Sequence, residues 1–140
     1  MIKYYIGLII ICLSMTCNNE NKANSPLAVV IKLQAAETLA DFEEARKYID
    51  IEKVFSNQPD SVNPEVAWKE SVMFFYNLGQ NKKFTNVFKY YKYDIHETIS
   101  KDRATVSFKA LSSGDIIKEI LYRLELYKNE WKVIDIDYIK

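Results

Sequence analysis

The sequence predicts an α+β domain in which N-terminal helices pack on one face of a four-stranded antiparallel sheet. Three observations predict it. Between residues 26 and 79 the apolar side chains recur at helical spacing. From about Tyr90 the period changes to two. Turn-forming clusters at residues 100–103, 112–115 and 128–130 divide that second stretch into four segments.

The first helix opens at Pro26, tolerated in a first turn because its missing N–H would be unpaired there anyway. It runs to about residue 40, with Val29, Leu33, Ala36 and Ala40 as its apolar stripe. Asp41 and Glu44 then fit a capping box, the aspartate accepting from a free N–H and the glutamate reaching back to the cap residue. Phe42, Ala45, Tyr48 and Ile49 form the apolar side of the helix that follows, and Asp50 caps one further turn through Val54 and Phe55. Residues 56–63 read as a loop. Asn63-Pro64-Glu65 starts another helix, combining a cap side chain, a proline at the first position and an acid facing the helix dipole. Gly79 marks its end. Trp68, Val72, Met73, Phe74, Phe75, Tyr76 and Leu78 cover most of its circumference, which predicts a largely buried helix.

Hairpin loops fix which residues oppose each other, so the strand registers follow from the turns. A three-residue loop of Lys128, Asn129 and Glu130 sets Leu126, Leu124, Tyr122 and Ile120 against Lys132, Ile134, Ile136 and Tyr138. A three-residue Ser112-Ser113-Gly114 loop, with glycine at a positive-φ position, adds Ala104, Val106, Phe108 and Ala110 to that face. A two-residue Lys101-Asp102 loop adds Ile99, Ile95, Tyr93 and Tyr91. All four strands then share one apolar face, to be covered by the helices. The other face, with Asp94, His96, Thr98, Thr105, Ser107, Lys109, Glu119, Arg123, Glu125, Asp135 and Asp137, reads as solvated. Arg123 falls opposite Asp135, an exposed pair contributing at most about 1 kcal/mol.

Upstream of this domain, Met1-Ile2-Lys3 and the apolar residues 4–16 have the layout of a secretory signal. Thirteen helical residues reach about 20 Å against a hydrocarbon core of ~30 Å, too short for a permanent span. Leu13-Ser14-Met15-Thr16-Cys17 resembles the lipobox of bacterial lipoproteins, in which the cysteine after the cleaved bond carries the lipid. Leu13 stands four places before the cysteine rather than three and Met15 is bulky, a looseness familiar in lipoproteins of the Bacteroidetes. Cys12 follows three isoleucines with no small residue and fits less well. The resemblance implies residues 1–16 as a signal peptide, lipid (palmitate among it) on Cys17, residues 17–25 as a polar tether, and residues 26–140 as the domain, held at a bacterial membrane in the cell envelope.

Composition limits the function. Nineteen basic and nineteen acidic side chains balance. Removing Lys3 with the leader leaves eighteen against nineteen, a net charge of −1, which disfavours nucleic acid. Both cysteines, Cys12 and Cys17, lie in or beside the leader, so the domain has no thiol for a disulfide, a metal or a nucleophile. One histidine and scattered acids make no ligand cluster, and neither metal nor cofactor is expected.

Helices followed by a long antiparallel sheet ending in Glu130-Trp131-Lys132-Val133-Ile134-Asp135-Ile136 resemble the nuclear-transport-factor-2-like, or cystatin-like, α+β cone over about residues 26–140. Leu27-Ala28-Val29-Val30 and the Asp-Phe-Glu-Glu-Ala-Arg-Lys-Tyr segment at 41–48 look closest to short bacterial lipoproteins of that superfamily. The resemblance implies a fold rather than an activity, because this fold hosts enzymes, binding modules and scaffolds.

Asp94 and His96, two apart on a strand, share a face, but the register puts that face in solvent; Asp135 and Asp137 share the same exterior. Glu97, between Ile95 and Ile99, and Lys118, between Ile116 and Ile120, are the charged exceptions on the apolar face. Burying either alone is costly. They line a pocket mouth, or a bulge or the limit of the helical layer leaves them outside. Tyr91, Tyr93, Tyr122 and Tyr138 share that face, as core or as hydroxyl donors to a ligand. Three functions stay open: a non-catalytic domain binding a small apolar or amphipathic ligand or a protein partner; a cone enzyme, hydrolase, isomerase or lyase, with Glu97 as base; and an interaction protein dimerising through the sheet.

Overall fold

A computed structural model describes residues 24–81 and 88–140. Cys12, Cys17, the leader and most of the tether lie outside the described residues. Four helices, α1 (Pro26–Thr38), α2 (Phe42–Ala45), α3 (Ile51–Val54) and α4 (Pro64–Gly79), precede a 3-10 turn at Tyr90–Lys92 and four strands. The strands β1 (Tyr93–Ser100), β2 (Arg103–Ala110), β3 (Glu119–Tyr127) and β4 (Glu130–Ile139) form one antiparallel meander in sequence order. The arrangement is α+β, with helices before a four-stranded antiparallel sheet. No described helix is long and apolar enough to cross a membrane.

Local chemistry accounts for most helix boundaries. Ser25 Oγ accepts from Ala28 N–H, Asp41 Oδ1 from Glu44 N–H, Asp50 Oδ1 from Lys53 N–H, and Asn63 Oδ1 from Val66 N–H, so each helix has a side-chain cap. Such a cap contributes about 1 kcal/mol. Helix α1 stops at Thr38 rather than at residue 40, because Ala40 turns to φ 53° and Asp41 N–H closes back on Ala36 O at 2.9 Å. Only half of the expected capping box forms: the Glu44 carboxylate accepts from Lys47 Nζ and Tyr48 Oη instead of reaching back to Asp41.

The sheet registers follow the turns, with two corrections. The β1–β2 hairpin has its two-residue Lys101-Asp102 loop, Lys101 at φ 55°, and pairs Ile95 with Phe108 and Ile99 with Ala104. Between β2 and β3 the connection spans residues 111–118 rather than three residues, and no described glycine has positive φ. Leu124 therefore pairs with Ala104 and Tyr122 with Val106, two places from the predicted register. A slip of two preserves the face of every side chain, so the apolar face survives. Between β3 and β4 the turn has two residues, Lys128 (φ 47°) and Asn129 (φ 64°), the conformation that matches strand twist. A register shift beside Leu124 lets Ile134 stand as the extra residue. Beyond it, Tyr122 pairs with Ile136 and Ile120 with Tyr138 as predicted. Before it, Leu126 pairs with Trp131 and Leu124 with Val133, so these two, not Lys132 and Ile134, face the core.

Val30, Leu33, Val106, Phe108, Leu124 and Val133 are fully buried between α1 and the sheet. The outer edge of β4 is closed by the chain before α3: Ile49 bridges Val133 in parallel, with Asp50 N–H on Val133 O and Val133 N–H on Tyr48 O, both at 2.8 Å. Helix α4 is not the buried helix its composition predicts. It packs on α1 and α3 as an outer layer, burying Trp68 and Val72 while Phe74 stays 63% and Phe75 58% exposed.

Candidate functional site

Helix α1 brings a carboxylate to the inside of the fold. Successive residues turn about 100° around a helix, so Glu37 falls about 20° from Val30 and about 40° from Leu33. Both of those residues are fully buried, and Glu37 is held one to two turns further along the same face. Gln34 shares it and is buried. The predicted stripe of Val29, Leu33, Ala36 and Ala40 is centred to one side of the true one. Glu37 was therefore missed, although the adjacency to Val30 and Leu33 was present in the sequence.

Two hydrogen-bonded groups form around this face. Trp68 Nε1–H of α4 donates to Glu37 Oε1 at 2.8 Å. Gln34 Nε2 donates to Tyr122 Oη of β3 at 3.0 Å, and Tyr90 Oη donates to Gln34 Oε1 at 2.8 Å. Beside them lies a pocket of 260 Å³ bounded by Gln34, Glu37 and Thr38 of α1, Phe75 and Tyr76 of α4, Phe88, Ile117, and the sheet residues Ile120, Tyr122 and Tyr138. Among the described residues that line it, Glu37 is the only charged one.

Electrostatics follow from that partial burial. Burial pushes the Glu37 carboxyl up from 4.5, and the Trp68 hydrogen bond opposes the shift. Burial likewise raises the Tyr138 phenol, and the nearby Glu37 charge adds to it. Tyr122 is raised strongly, first by burial and then by the Tyr138 phenol, so it acts only as a neutral hydroxyl. Tyr90 rises through burial as well.

Of the residues singled out from sequence, Tyr122 and Tyr138 line this pocket. The others lie elsewhere. Glu97 is exposed, and its Oε2 accepts Leu27 N–H at 2.6 Å, closing the open end of α1 against β1. The strand alternation that put it on the apolar face holds, but that face reaches past the helical layer here. Lys118 donates to Ser113 O at 2.6 Å and Asp115 O at 2.5 Å, tying the long β2–β3 connection. Tyr93 stacks on Phe88 with ring centroids 4.7 Å apart. Tyr91 stands in the 3-10 turn, 76% exposed, at a shallow depression with Lys92 and Leu111. Asp94 and His96 meet at 2.9 Å on the outer face, both exposed. Arg123 holds Asp135 and Asp137 on that same face, the latter at 2.7 Å.

A second hollow of 480 Å³ lies along α3 and the open side of β4. Most of its charges are paired within the chain: Arg46 with Glu65 and Lys53 with Glu125, each at 2.5 Å, Lys53 also with Asp50 at 3.8 Å, and Lys132 with Glu130 at 3.9 Å, while Glu52 lines it as well. Among the described residues no three His, Cys, Asp or Glu converge as a metal would need. The two hollows thus differ in what they offer a ligand, one presenting paired charges and the other a single carboxylate among aromatic rings. No protein-family model, curated protein or solved structure matches the chain.

Proposed function

We propose that the protein is an exported lipoprotein, anchored to a bacterial membrane through Cys17, whose cone-like α+β domain binds a small ligand without chemical conversion. The observation that carries the binding reading is the 260 Å³ pocket, apolar over most of its lining yet furnished with Glu37, Gln34, Thr38 and three tyrosines. Small-molecule sites combine apolar walls with a few placed polar groups in this way. Its volume lies just below the ~300–1,000 Å³ of drug-sized sites, which favours a compact ligand over a lipid chain. The non-catalytic form is supported by the position of Glu97, which serves helix α1 rather than the pocket. The anchor is supported by the lipobox-like Leu13 to Cys17 segment and the polar stretch after it.

Each half has its own test. Mass spectrometry of the mature protein from a membrane fraction is expected to find an acylated Cys17; an unmodified N-terminus elsewhere overturns the anchor. For the pocket, titration with the neutral probe 2-phenylethanol is expected to shift the Trp68 indole N–H resonance saturably. Thr38→Phe, which places a ring in the pocket, is expected to abolish that shift. A resonance that moves with neither 2-phenylethanol nor its amine and acid analogues, or moves equally in Thr38→Phe, removes the binding reading.

A further inference from the structure

Glu37 is an unusual residue to leave inside this fold. It sits beside two of the fully buried residues of α1, and burial works against its ionised form. Among the described residues, the groups facing it are Trp68 and Tyr76 from α4, Tyr122 from β3 and Tyr138 from β4, none of them cationic. A carboxylate whose only task was to cap the Trp68 indole would be replaced at less cost by a neutral glutamine, which offers the same acceptor.

Resting on the reading of this cavity as a ligand site, we propose that its ligand is a small primary amine with a compact apolar body, whose ammonium group is held by Glu37. Four features support this together. The described lining carries one negative charge, on Glu37, which a monocation would complement. The Trp68 N–H donates to the carboxylate, an arrangement that favours its ionised form over a protonated one offering a hydrogen to a carbonyl ligand. It also fixes the carboxylate before binding, which lowers the ordering cost. Finally, Phe75, Tyr76, Phe88, Tyr122 and Tyr138 line the same space, and aromatic faces attract a cation. The volume of 260 Å³ suits a single ring or a short branched chain rather than a peptide.

The test is a charge series on one body, read by calorimetry on the full chain in detergent: 2-phenylethylamine, 2-phenylethanol and phenylacetate. The amine is expected to bind at least about tenfold more tightly than the alcohol, the span of one charge-assisted hydrogen bond, and phenylacetate more weakly than either. In Glu37→Gln the amine and the alcohol are expected to converge in affinity. Equal affinities across the wild-type series overturn the amine assignment and leave the pocket as a binding site. An amine preference that persists in Glu37→Gln overturns the role of Glu37. No binding by any of the three overturns both this proposal and the binding reading beneath it. The wild-type series decides the matter even if the variant fails to fold.

Discussion

Glu65 and Glu37 stand on helices that pack against each other, yet they lie in opposite electrostatic settings. Glu65, in the first turn of α4, accepts from Arg46 at both oxygens and pairs with Lys69 at 3.0 Å, and these cations hold its carboxyl down at about 2. Glu37, near the end of α1, is half-buried, and that burial holds its carboxyl up against the opposing effect of the Trp68 indole N–H. The first belongs to the rim of a hollow most of whose charges are paired within the chain. The second lines a pocket in which, among the described residues, it meets no cation. The contrast teaches that two carboxylates on neighbouring helices titrate in opposite directions according to whether cations or apolar walls surround them.

The largest effect expected from breaking this contrast comes from Trp68→Phe, which keeps the ring and removes the donor to Glu37. Leaving a desolvated carboxylate without its partner costs about 1–3 kcal/mol, measured as a lowered urea midpoint at neutral pH. In a Glu37→Gln background the same change is expected to cost less, because no charge is left stranded; additive costs would show that the two residues are not coupled.

Smaller, and opposite in sign, are the pH responses of the two carboxylates. Glu65 has a depressed folded value, so its contribution is present above about 4.5 and is lost as pH falls toward 2. Glu37 has a raised folded value, so its contribution is fully present below 4.5 and is lost as pH rises through that raised value. Unfolding measured across this range should therefore lose its acid-side decline in Glu65→Gln and its decline toward neutrality in Glu37→Gln. Identical profiles for the two variants would remove the distinction between the sites.

The smallest effect expected is that of Glu97→Ala. Its carboxylate meets a free N–H at the start of α1 in an exposed setting, so its loss is expected to cost about 0.3–1 kcal/mol, with ligand binding retained. A change in pocket affinity larger than the change in stability would give Glu97 a role beyond holding the helix.

Much of the fold was legible because it is written in local chemistry. Asn63-Pro64-Glu65 starts a helix wherever it stands, and Lys101-Asp102 closes its hairpin where the turn residues put it. The β3–β4 register was read one residue out at the turn and correct beyond the bulge, since the extra residue Ile134 offsets the shorter loop. No turn signal announces a bulge within a strand. The exposure of Phe74 and Phe75 was not legible either, because periodicity reports how apolar a helix is and not which layer it occupies.

By itself the sequence determined the α+β class, the helix starts, the shared apolar face of the strands and the outward direction of Asp94 and His96, all set by side-chain period and capping within a few residues. Only the tertiary structure decided the site. Glu37 and Trp68 are 31 residues apart, and Gln34 and Tyr122 are 88 apart. Whether such groups meet depends on how α1 is rotated over the sheet and where α4 crosses it. Those choices arise from packing the whole core at once, and no local pattern encodes them.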